Sequence, residues 1–488
     1  MKTLKSFSIL ILIVSLVLLV PSCAVNPVTG KSQLMFMSEE QEVALGTQYD
    51  PSVVSTFGLY EDDVLLNFIT QKGTEMGKIS HRPNLQYHFK VLDSPVVNAF
   101  AVPGGYIYLT RGILAQFNNE AELMGVLGHE MGHVTARHTA QQQTRQQLGQ
   151  VALTAGMIAS KEVAQFANEA MQAMQLLFLS FSRTNEREAD RLGVEYSSKI
   201  GYDAHKMADF FEVLNKMSMA SSHAGVPTWM STHPDPGERN ISVNQTTNEW
   251  QAKLPGKSFA VNTNSYLKMI DGIVYGENPR HGFVENSMFY HPDLKFQFPI
   301  PNGWELINSP LQVQIVPADQ NAAMIFSLAS EKNSETAAQK TLSELQLTVI
   351  DSKNVKINGL NATTTLSQQV SQADNGQQQT LQILSYFIEK EGMIYTFHGL
   401  TSEALFNSNK AAFETTMMNF APLTDSSKLN IQPERIKVIT IRSASVTVAD
   451  AFKYYKVPES KFNELALLNN LELDHTLSKG DMIKVIGQ

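Results

Sequence analysis

The hexapeptide Gly128-His129-Glu130-Met131-Gly132-His133 decides how this chain is interpreted. On a helix, the two histidines of a His-Glu-x-x-His pattern lie on one face. Two imidazoles on one face can bind a zinc ion and leave room for a third protein ligand and a water. Glu130 is placed to take a proton from that water. The pattern predicts metal-assisted hydrolysis, with His129 and His133 as ligands and Glu130 as the general base.

The residues before the motif predict the helix that this chemistry requires. Asn119 followed by Glu122 has the pattern of a helix N-cap. Apolar residues then recur at helical spacing, namely Leu123, Met124, Val126, Leu127, Met131 and Val134. A buried helix favours metal binding. The alternative is that His129 and His133 are ordinary core histidines around a structural Glu130.

A second helix is predicted from about residue 185. Asn185 with Glu188 has the pattern of a capping box, and Gly201 has that of a helix stop. Glu188 groups with Arg191 on a largely charged face, which predicts a solvated ion pair.

The opposite face of this second helix carries the predicted third ligand. Glu186, Ala189, Asp190 and Gly193 share that face, and its small residues let another helix approach closely. Glu186 is predicted to bind the metal, and Asp190 to accept a hydrogen bond that orients a metal-bound histidine. The alternative is an ordinary surface pair of acids.

Four motifs carry a resemblance to a known family. They are HEMGH (129–133), SRTNEREAD (182–190), NAFAVPGG (98–105) and STHPDPGER (231–239). In this order they resemble the HtpX and CAAX-prenyl-protease-like family of zinc metallopeptidases. Within it, the segment from Asn26 to about Asn240 is similar to the BepA-like branch of the bacterial envelope. The resemblance implies the gluzincin arrangement, in which His129, His133 and Glu186 hold Zn²⁺ and Glu130 is the base.

Two further features of the site follow from the same motifs. In the resembled family a strand borders the cleft, and here it comprises Asn98, Ala99, Phe100 and Ala101. An exposed edge there would bind the substrate backbone as an added strand.

His233 lies in a proline-framed loop, where three roles stay open. It is a candidate fourth zinc ligand that closes the site, a candidate stabiliser of the oxyanion, or a loop histidine without a metal role. Arg239 is a second candidate for the oxyanion role.

The N-terminus predicts export and a lipid anchor. Lys2 and Lys5 precede an apolar run that is short for a membrane span and typical of a signal peptide. The sequence VPSC (20–23) resembles a bacterial lipobox, which implies cleavage before Cys23 and acylation of that residue. The alternative is an uncleaved anchor helix. We expect a periplasm-facing protein, at the outer rather than the inner membrane.

The chain is predicted to be a multidomain α+β protein. A signal peptide (1–22) precedes a mainly helical metallopeptidase domain (23–250) with a small edge-strand sheet. A connector (251–286), an α+β sandwich-like domain (287–424) and a linker (425–434) follow. The sandwich-like domain resembles the PsbP type. The last unit (435–488) resembles a βααβ LysM module, and it departs from that pattern at the first loop, 442–445.

Composition limits the remaining choices of function. The 488 residues carry a net charge of −9, which argues against a nucleic-acid partner. The preferred interpretation is a lipid-anchored zinc endopeptidase that hydrolyses misfolded or assembling envelope proteins. The alternatives are a metal-dependent chaperone that rarely cuts and an adaptor bound to peptidoglycan or to envelope assembly machinery.

Overall fold

The computed structural model describes residues 23–144, 180–220, 228–233, 236–372 and 378–487. The predicted signal peptide therefore lies outside the described residues. Within these ranges the chain is a multidomain α+β protein, mainly helical in its first half and rich in strands in its second. A search of the described ranges found no helix with the length and apolarity needed to cross a membrane.

Helices α1 to α9 form most of the first half. In chain order they are α1 (Glu39–Phe57), α2 (Asp63–Ile79), α3 (Arg111–Gln116), α4 (Glu120–Thr135), α5 (Arg183–Lys199), α6 (His205–Ala220), α7 (Thr228–Thr232), α8 (Pro236–Ala252) and α9 (Thr263–Met269). Every residue of α4 is buried. Its N-cap is Asn119, whose side chain accepts a hydrogen bond from the Glu122 amide at 2.9 Å. The predicted buried motif helix and its cap are confirmed.

Helix α5 begins earlier than the sequence predicts. Its N-cap is Ser182, whose hydroxyl accepts from the Asn185 amide at 3.3 Å. The capping box predicted at Asn185 is therefore wrong, because Asn185 already lies in the first turn. The predicted stop is confirmed, since Gly201 follows the helix end with a φ of +93°.

Helices α4 and α5 cross at their glycines. A Cβ on Gly193 would lie 3.0 Å from the backbone nitrogen of His129, and a Cβ on Gly128 would lie 3.0 Å from the Gly193 carbonyl oxygen. Contacts this short exclude larger residues without a shift of one helix. The small-residue face predicted for α5 is thus the surface that meets the motif helix.

Strands of the first half form two small sheets. Strands β1 (Cys23–Val25) and β2 (Ser32–Leu34) pair with each other. Strands β3 (His88–Leu92), β4 (Ala99–Val102) and β5 (Tyr106–Thr110) form a sheet in the order β3-β5-β4. Strand β4 runs antiparallel to β5 and is an edge strand of this sheet.

The middle region is built on two antiparallel sheets. Its strands in chain order are β6 (Phe283–Glu285), β7 (Met288–His291), β8 (Phe296–Pro299), β9 (Trp304–Asn308), β10 (Gln312–Pro317), β11 (Ala322–Ala329), β12 (Thr348–Ile357), β13 (Leu360–Gln372), β14 (Gln378–Lys390), β15 (Met393–Ser402) and β16 (Ala421–Pro422). One sheet has the strand order β12-β13-β14-β15-β11-β10-β9, and the other has the order β16-β8-β7-β6. Helices α10 (Ser334–Glu344) and α11 (Glu403–Met417) complete the region.

The last region has the strand and helix order that the sequence predicts. Strand β17 (Arg435–Thr440) pairs antiparallel with β20 (Met482–Gly487). Helices α13 (Val448–Tyr454) and α14 (Phe462–Leu468) lie between them, after the short α12 (Ser426–Leu429) in the predicted linker. A small pair, β18 (Ser445–Thr447) and β19 (Thr476–Ser478), is added.

The predicted connector and the C-terminal region share one core with the motif helix. Tyr266 is buried and donates from its hydroxyl to the Leu114 carbonyl at 2.6 Å. Ile436 and Phe452 of the C-terminal region belong to the same hydrophobic cluster as Leu127 of α4. The C-terminal region therefore packs directly against the first half of the chain.

Candidate metal centre

Helix packing brings the predicted site residues to one buried place. Helix α4 carries His129, Glu130 and His133, and α5 carries Glu186 and Asp190. His233 follows α7, and Arg239 lies on α8. None of these seven side chains belongs to a residue more than 3% exposed. Residues more than a hundred positions apart in the chain thus converge on one site.

Four of these residues form a cluster with the donor atoms of a metal site. One ligand atom each from His129, His133, Glu186 and His233 lies within 4.8 Å of the others. The Nε2 atoms of His129 and His133 are 3.0 Å apart, and Nε2 of His129 is 3.2 Å from Nδ1 of His233. Imidazole nitrogens and a carboxylate oxygen at this separation fit the ligand set of zinc. Burial is the largest cause that holds the pKa of His133 well below its ordinary value, so His133 is the neutral imidazole that a metal requires.

Asp190 lies directly behind His129. Its Oδ1 is 2.9 Å from Nδ1 of His129, so that nitrogen donates to the carboxylate and Nε2 faces the cluster with its lone pair. Arg239 donates to both oxygens of Asp190, at 2.8 and 2.6 Å. Burial raises the pKa of Asp190, but Arg239 and His129 outweigh burial and lower it to about 2. Asp190 is therefore an ionised acceptor at neutral pH.

Arg239 also ties Glu186 to the rest of the site. Its Nη1 is 3.1 Å from Oε2 of Glu186 and 3.2 Å from the carbonyl oxygen of His233. Burial raises the pKa of Glu186, but His233 and Arg239 together bring it below the ordinary value. The guanidinium is thus already engaged by two carboxylates, which favours a positioning role over the oxyanion role predicted as one option.

Glu130 differs from the other acids of the site. Both of its carboxylate oxygens are buried, and neither has a hydrogen-bond partner among the described residues. Burial raises the pKa of Glu130 above its ordinary value. A buried carboxylate without a hydrogen-bond donor costs folding free energy. A metal-bound water would supply that donor, which is consistent with Glu130 as the group that accepts its proton. The residues present therefore fit a metal ion together with its water.

The segment that carries His233 covers the start of the predicted substrate strand. The Trp229 amide donates to the Val97 carbonyl at 3.1 Å, just before β4. The Trp229 ring stacks on His233 at 4.7 Å between centroids. Ala99 and Phe100 are at most 5% exposed, so the edge is less open than the sequence predicts. Among the described residues no strand pairs along the other side of β4.

Sequence reasoning missed one histidine of the site and misplaced one acid. His138, in the helical stretch after α4, has its Nδ1 3.1 Å from Nδ1 of His133. Its Nε2 is 3.2 Å from Oε2 of Glu188. The solvated pair predicted between Glu188 and Arg191 is therefore wrong, and Arg191 lies 3.6 Å from Glu195 instead. The signal was available, because His138 is one more histidine five residues beyond the motif.

A helix-borne His-Glu-x-x-His pattern with an acid from a second helix defines the gluzincin class of metallopeptidases. Comparison with family models agrees with this class: residues 67–247 match the model of Peptidase family M48. Residues 67–247 are therefore similar to the M48 metallopeptidases, in agreement with the helix-borne site they contain. Such a family implies a bound metal, and the cluster of His129, His133, Glu186 and His233 is where its ligands lie.

Curated relatives match somewhat less than half of the chain. The beta-barrel assembly-enhancing protease of Yersinia pestis is 29% identical over 242 residues, 47% of this chain and 49% of the relative. The mitochondrial metalloendopeptidase OMA1 of Bos taurus is 27% identical over 233 residues, 44% of each chain. The chain spans about half the length of the curated relatives it matches.

Solved structures add a distant similarity. The solution structure of cyanobacterial PsbP from Synechocystis matches 29% of this chain and 96% of its own, at 13% identity and a TM-score of 0.23. A similarity this low carries no argument, so the PsbP-like and LysM-like characters of the second half stay predictions.

Proposed function

We propose that this chain is a zinc-dependent endopeptidase of the bacterial cell envelope that hydrolyses peptide bonds of misfolded or assembling envelope proteins. The observation that carries this proposal is the buried His129–His133–Glu186 cluster beside the carboxylate of Glu130, which has no hydrogen-bond partner among the described residues. Peptidase relatives imply protein substrates. The Yersinia relative is a beta-barrel assembly-enhancing protease, which supports the envelope as the place of action.

Each residue of the site has a proposed role in hydrolysis. His129, His133 and Glu186 would hold Zn²⁺. The metal, when bound, supplies Lewis-acid polarisation of the scissile carbonyl and activation of a water. Glu130 accepts the proton of that water and returns it to the leaving amine. Burial raises the pKa of Glu130, which favours acceptance of that proton.

Asp190 and Arg239 are proposed to position this machinery. Asp190 holds the ring of His129 through Nδ1, and Arg239 holds Asp190 and Glu186 in turn. A ligand whose second nitrogen is bonded keeps one tautomer and one orientation. The role of Arg239 is thus to keep two carboxylates in place inside a buried site.

His233 is proposed to close the resting site. Its Nδ1 lies 3.0 Å from Oε2 of Glu186, and its Nε2 lies 3.6 Å from Oε1 of Glu130. From there it would act as a fourth protein ligand and leave the metal no position for a water. Withdrawal of His233 and Trp229 would free that coordination position and also the backbone of Val97 next to β4. An extended substrate could then pair with Asn98 to Ala101 as an added strand.

The decisive experiment is the Glu130→Gln variant of the full chain. We expect normal zinc content and a loss of casein cleavage of about 10²- to 10⁴-fold, because the general base is removed and no ligand is changed. Zinc is measured by atomic emission, and the same variant is used to trap substrates in cells. Undiminished cleavage by a zinc-loaded Glu130→Gln protein would remove the proposal.

A second candidate function is a metal-dependent chaperone or adaptor with little proteolysis. The observation that favours it is the Trp229 amide, which bonds the Val97 carbonyl just before β4 and so restricts the start of the strand that a peptide substrate would pair with. A binder does not need Glu130. Suppression of client aggregation that is equal in wild type and Glu130→Gln, without cleavage by either protein, would favour this second function.

We also propose that Cys23 carries a lipid that anchors the chain, with the peptidase domain facing the periplasm at the outer membrane. The support is the lipobox-like sequence 20–23. Cys23→Ala should leave a larger precursor or a mis-sorted protein, because processing depends on the thiol. Metabolic labelling with a fatty acid and membrane fractionation measure this. Identical fractionation of both proteins with no label on either would contradict the anchor.

A further inference from the structure

His138 lies behind the predicted ligand His133, and the roles proposed above do not use it. It is 1% exposed. The Nε2 atom of His133 faces the cluster, 3.0 Å from Nε2 of His129, while its Nδ1 faces away from it. At 3.1 Å from that Nδ1 lies Nδ1 of His138, and Nε2 of His138 lies 3.2 Å from the carboxylate of Glu188.

The side chains of His133, His138 and Glu188 form a hydrogen-bonded row, and the chemistry of imidazole fixes which nitrogen of each ring carries the proton. For Nε2 of His133 to bind a metal with its lone pair, the proton of the neutral ring must be on Nδ1. That N–H then donates to Nδ1 of His138, which must be unprotonated. The proton of His138 is therefore on Nε2 and is donated to Glu188. Only this arrangement of the two neutral rings satisfies both short contacts.

The row mirrors the one behind the other histidine. Nδ1 of His129 donates directly to Asp190, whereas His133 reaches a carboxylate through one intervening ring. Phe181 packs against the His133 ring at 4.1 Å between centroids. Among the described residues His138 is the one hydrogen-bond partner of Nδ1 of His133. Loss of His138 would leave that nitrogen buried without an acceptor.

We infer that His138 and Glu188 are positioning residues that fix the tautomer and the ring orientation of His133, and thereby set how tightly the site binds its metal. This inference rests on the proposed zinc site. A packing role alone would require only the shape of the His138 ring. The hydrogen-bonding role requires an acceptor atom facing Nδ1 of His133, which separates the two explanations experimentally.

The test measures zinc affinity of the full-length apoprotein by competition with a chromophoric chelator. His138→Phe keeps a ring but removes the acceptor, and we expect about 10- to 100-fold weaker zinc binding. His138→Gln restores an acceptor, and its affinity should return to within a few-fold of wild type. Glu188→Ala removes the end of the row and should weaken binding less than His138→Phe. His205→Phe, a histidine paired with Asp203 outside the site, serves as the matched control.

The outcomes separate this inference from the proposed function. Wild-type protein that fails to bind zinc removes the zinc site itself. If wild type binds zinc and His138→Phe binds it equally well, the inference is overturned. Equal weakening by His138→Phe and His138→Gln also overturns it, because packing then explains the loss. Should His138→Phe not fold by circular dichroism, Glu188→Ala decides, since the Glu188 side chain is 21% exposed and its removal disturbs the core less. Wild-type zinc affinity of Glu188→Ala then overturns the inference.

Discussion

At the scale of single residues, we expect the position of His233 to decide whether the metal site is closed or open to a water. A fourth protein ligand takes the position that zinc must leave open for water. We therefore expect His233→Ala to keep its zinc and to raise basal cleavage or self-cleavage. The measurement is self-cleavage of the purified variant against wild type at matched zinc occupancy.

Two other outcomes would assign His233 differently. A loss of turnover of roughly 10²- to 10³-fold with zinc retained would make the histidine an oxyanion stabiliser. No change at all would return it to a loop residue without a role in control. His205→Ala is the control, because His205 pairs with Asp203 on another part of the surface.

How far single residues could be predicted depends on the range of their contacts. His129, Glu130 and His133 are recognisable because one helix fixes their geometry through spacing alone. Glu186 required a second helix with a small-residue face. His138 was not predicted, because its role depends on a contact with Glu188 from another helix. In the sequence Glu188 has Arg191 three residues away, and nothing in that spacing indicates a contact between Glu188 and His138.

At the scale of elements, the crossing of α4 and α5 holds the site together. The two helices meet where Gly193 lies against the backbone of His129. We expect Gly193→Val to lower the free energy of unfolding by about 1–3 kcal/mol and to lower zinc content, because α5 must move away with Glu186. Thermal melting and metal analysis measure both effects.

The control substitution is made on the exposed face of α5, away from the contact with α4. Arg191→Val places the same β-branched residue on α5, where the Arg191 side chain is 44% exposed. Helix propensity favours valine over glycine at 193 and disfavours it relative to arginine at 191, so propensity cannot explain a larger loss in Gly193→Val. Equal melting temperatures and equal zinc contents for Gly193→Val and Arg191→Val would contradict the role of the crossing.

Elements with a strong local pattern were predictable, and elements without one were not. In strands β14 and β15 and helix α11 the apolar residues alternate or recur at helical spacing, so a local pattern is enough to indicate each element. Strand β12 has no such pattern, and its first seven residues are exposed. Its pairing with β13 is what makes it a strand.

At the scale of the whole molecule, the C-terminal region is part of the structure around the site. The sequence predicted a separate module after a linker, because the βααβ pattern of 435–488 reads as a self-contained unit. Packing between distant segments is invisible in such a pattern. In the structure Ile436 and Phe452 share a hydrophobic cluster with the motif helix. We keep peptidoglycan or envelope assembly machinery as proposed partners of this region, now held beside the peptidase domain.

Lys484 is a polar contact between this region and the segment just before the motif helix. Its ammonium donates to the carbonyls of Ala115, Gln116 and Phe117, at 2.9, 3.1 and 3.0 Å. These carbonyls lie at the end of α3, where helix hydrogen bonding runs out and a cation is favourable. The chain then turns into Asn119, the cap of the motif helix, so the contact joins the C-terminal region to the start of α4.

We expect Lys484→Met to loosen this junction. Methionine keeps most of the aliphatic stem but removes the Lys484 donor from all three carbonyls, of which Gln116 keeps a hydrogen bond from Asn118 Nδ2 at 3.3 Å. The loss should cost about 1–3 kcal/mol of unfolding free energy. The variant should melt earlier, and limited proteolysis should cut the 425–434 segment and release the C-terminal region faster. Lys453→Met is the control, because Lys453 is 58% exposed on α13 and pairs only weakly, at 3.7 Å, with Asp450. If both variants melt and cleave alike, the Lys484 contact contributes nothing to the docking of the C-terminal region.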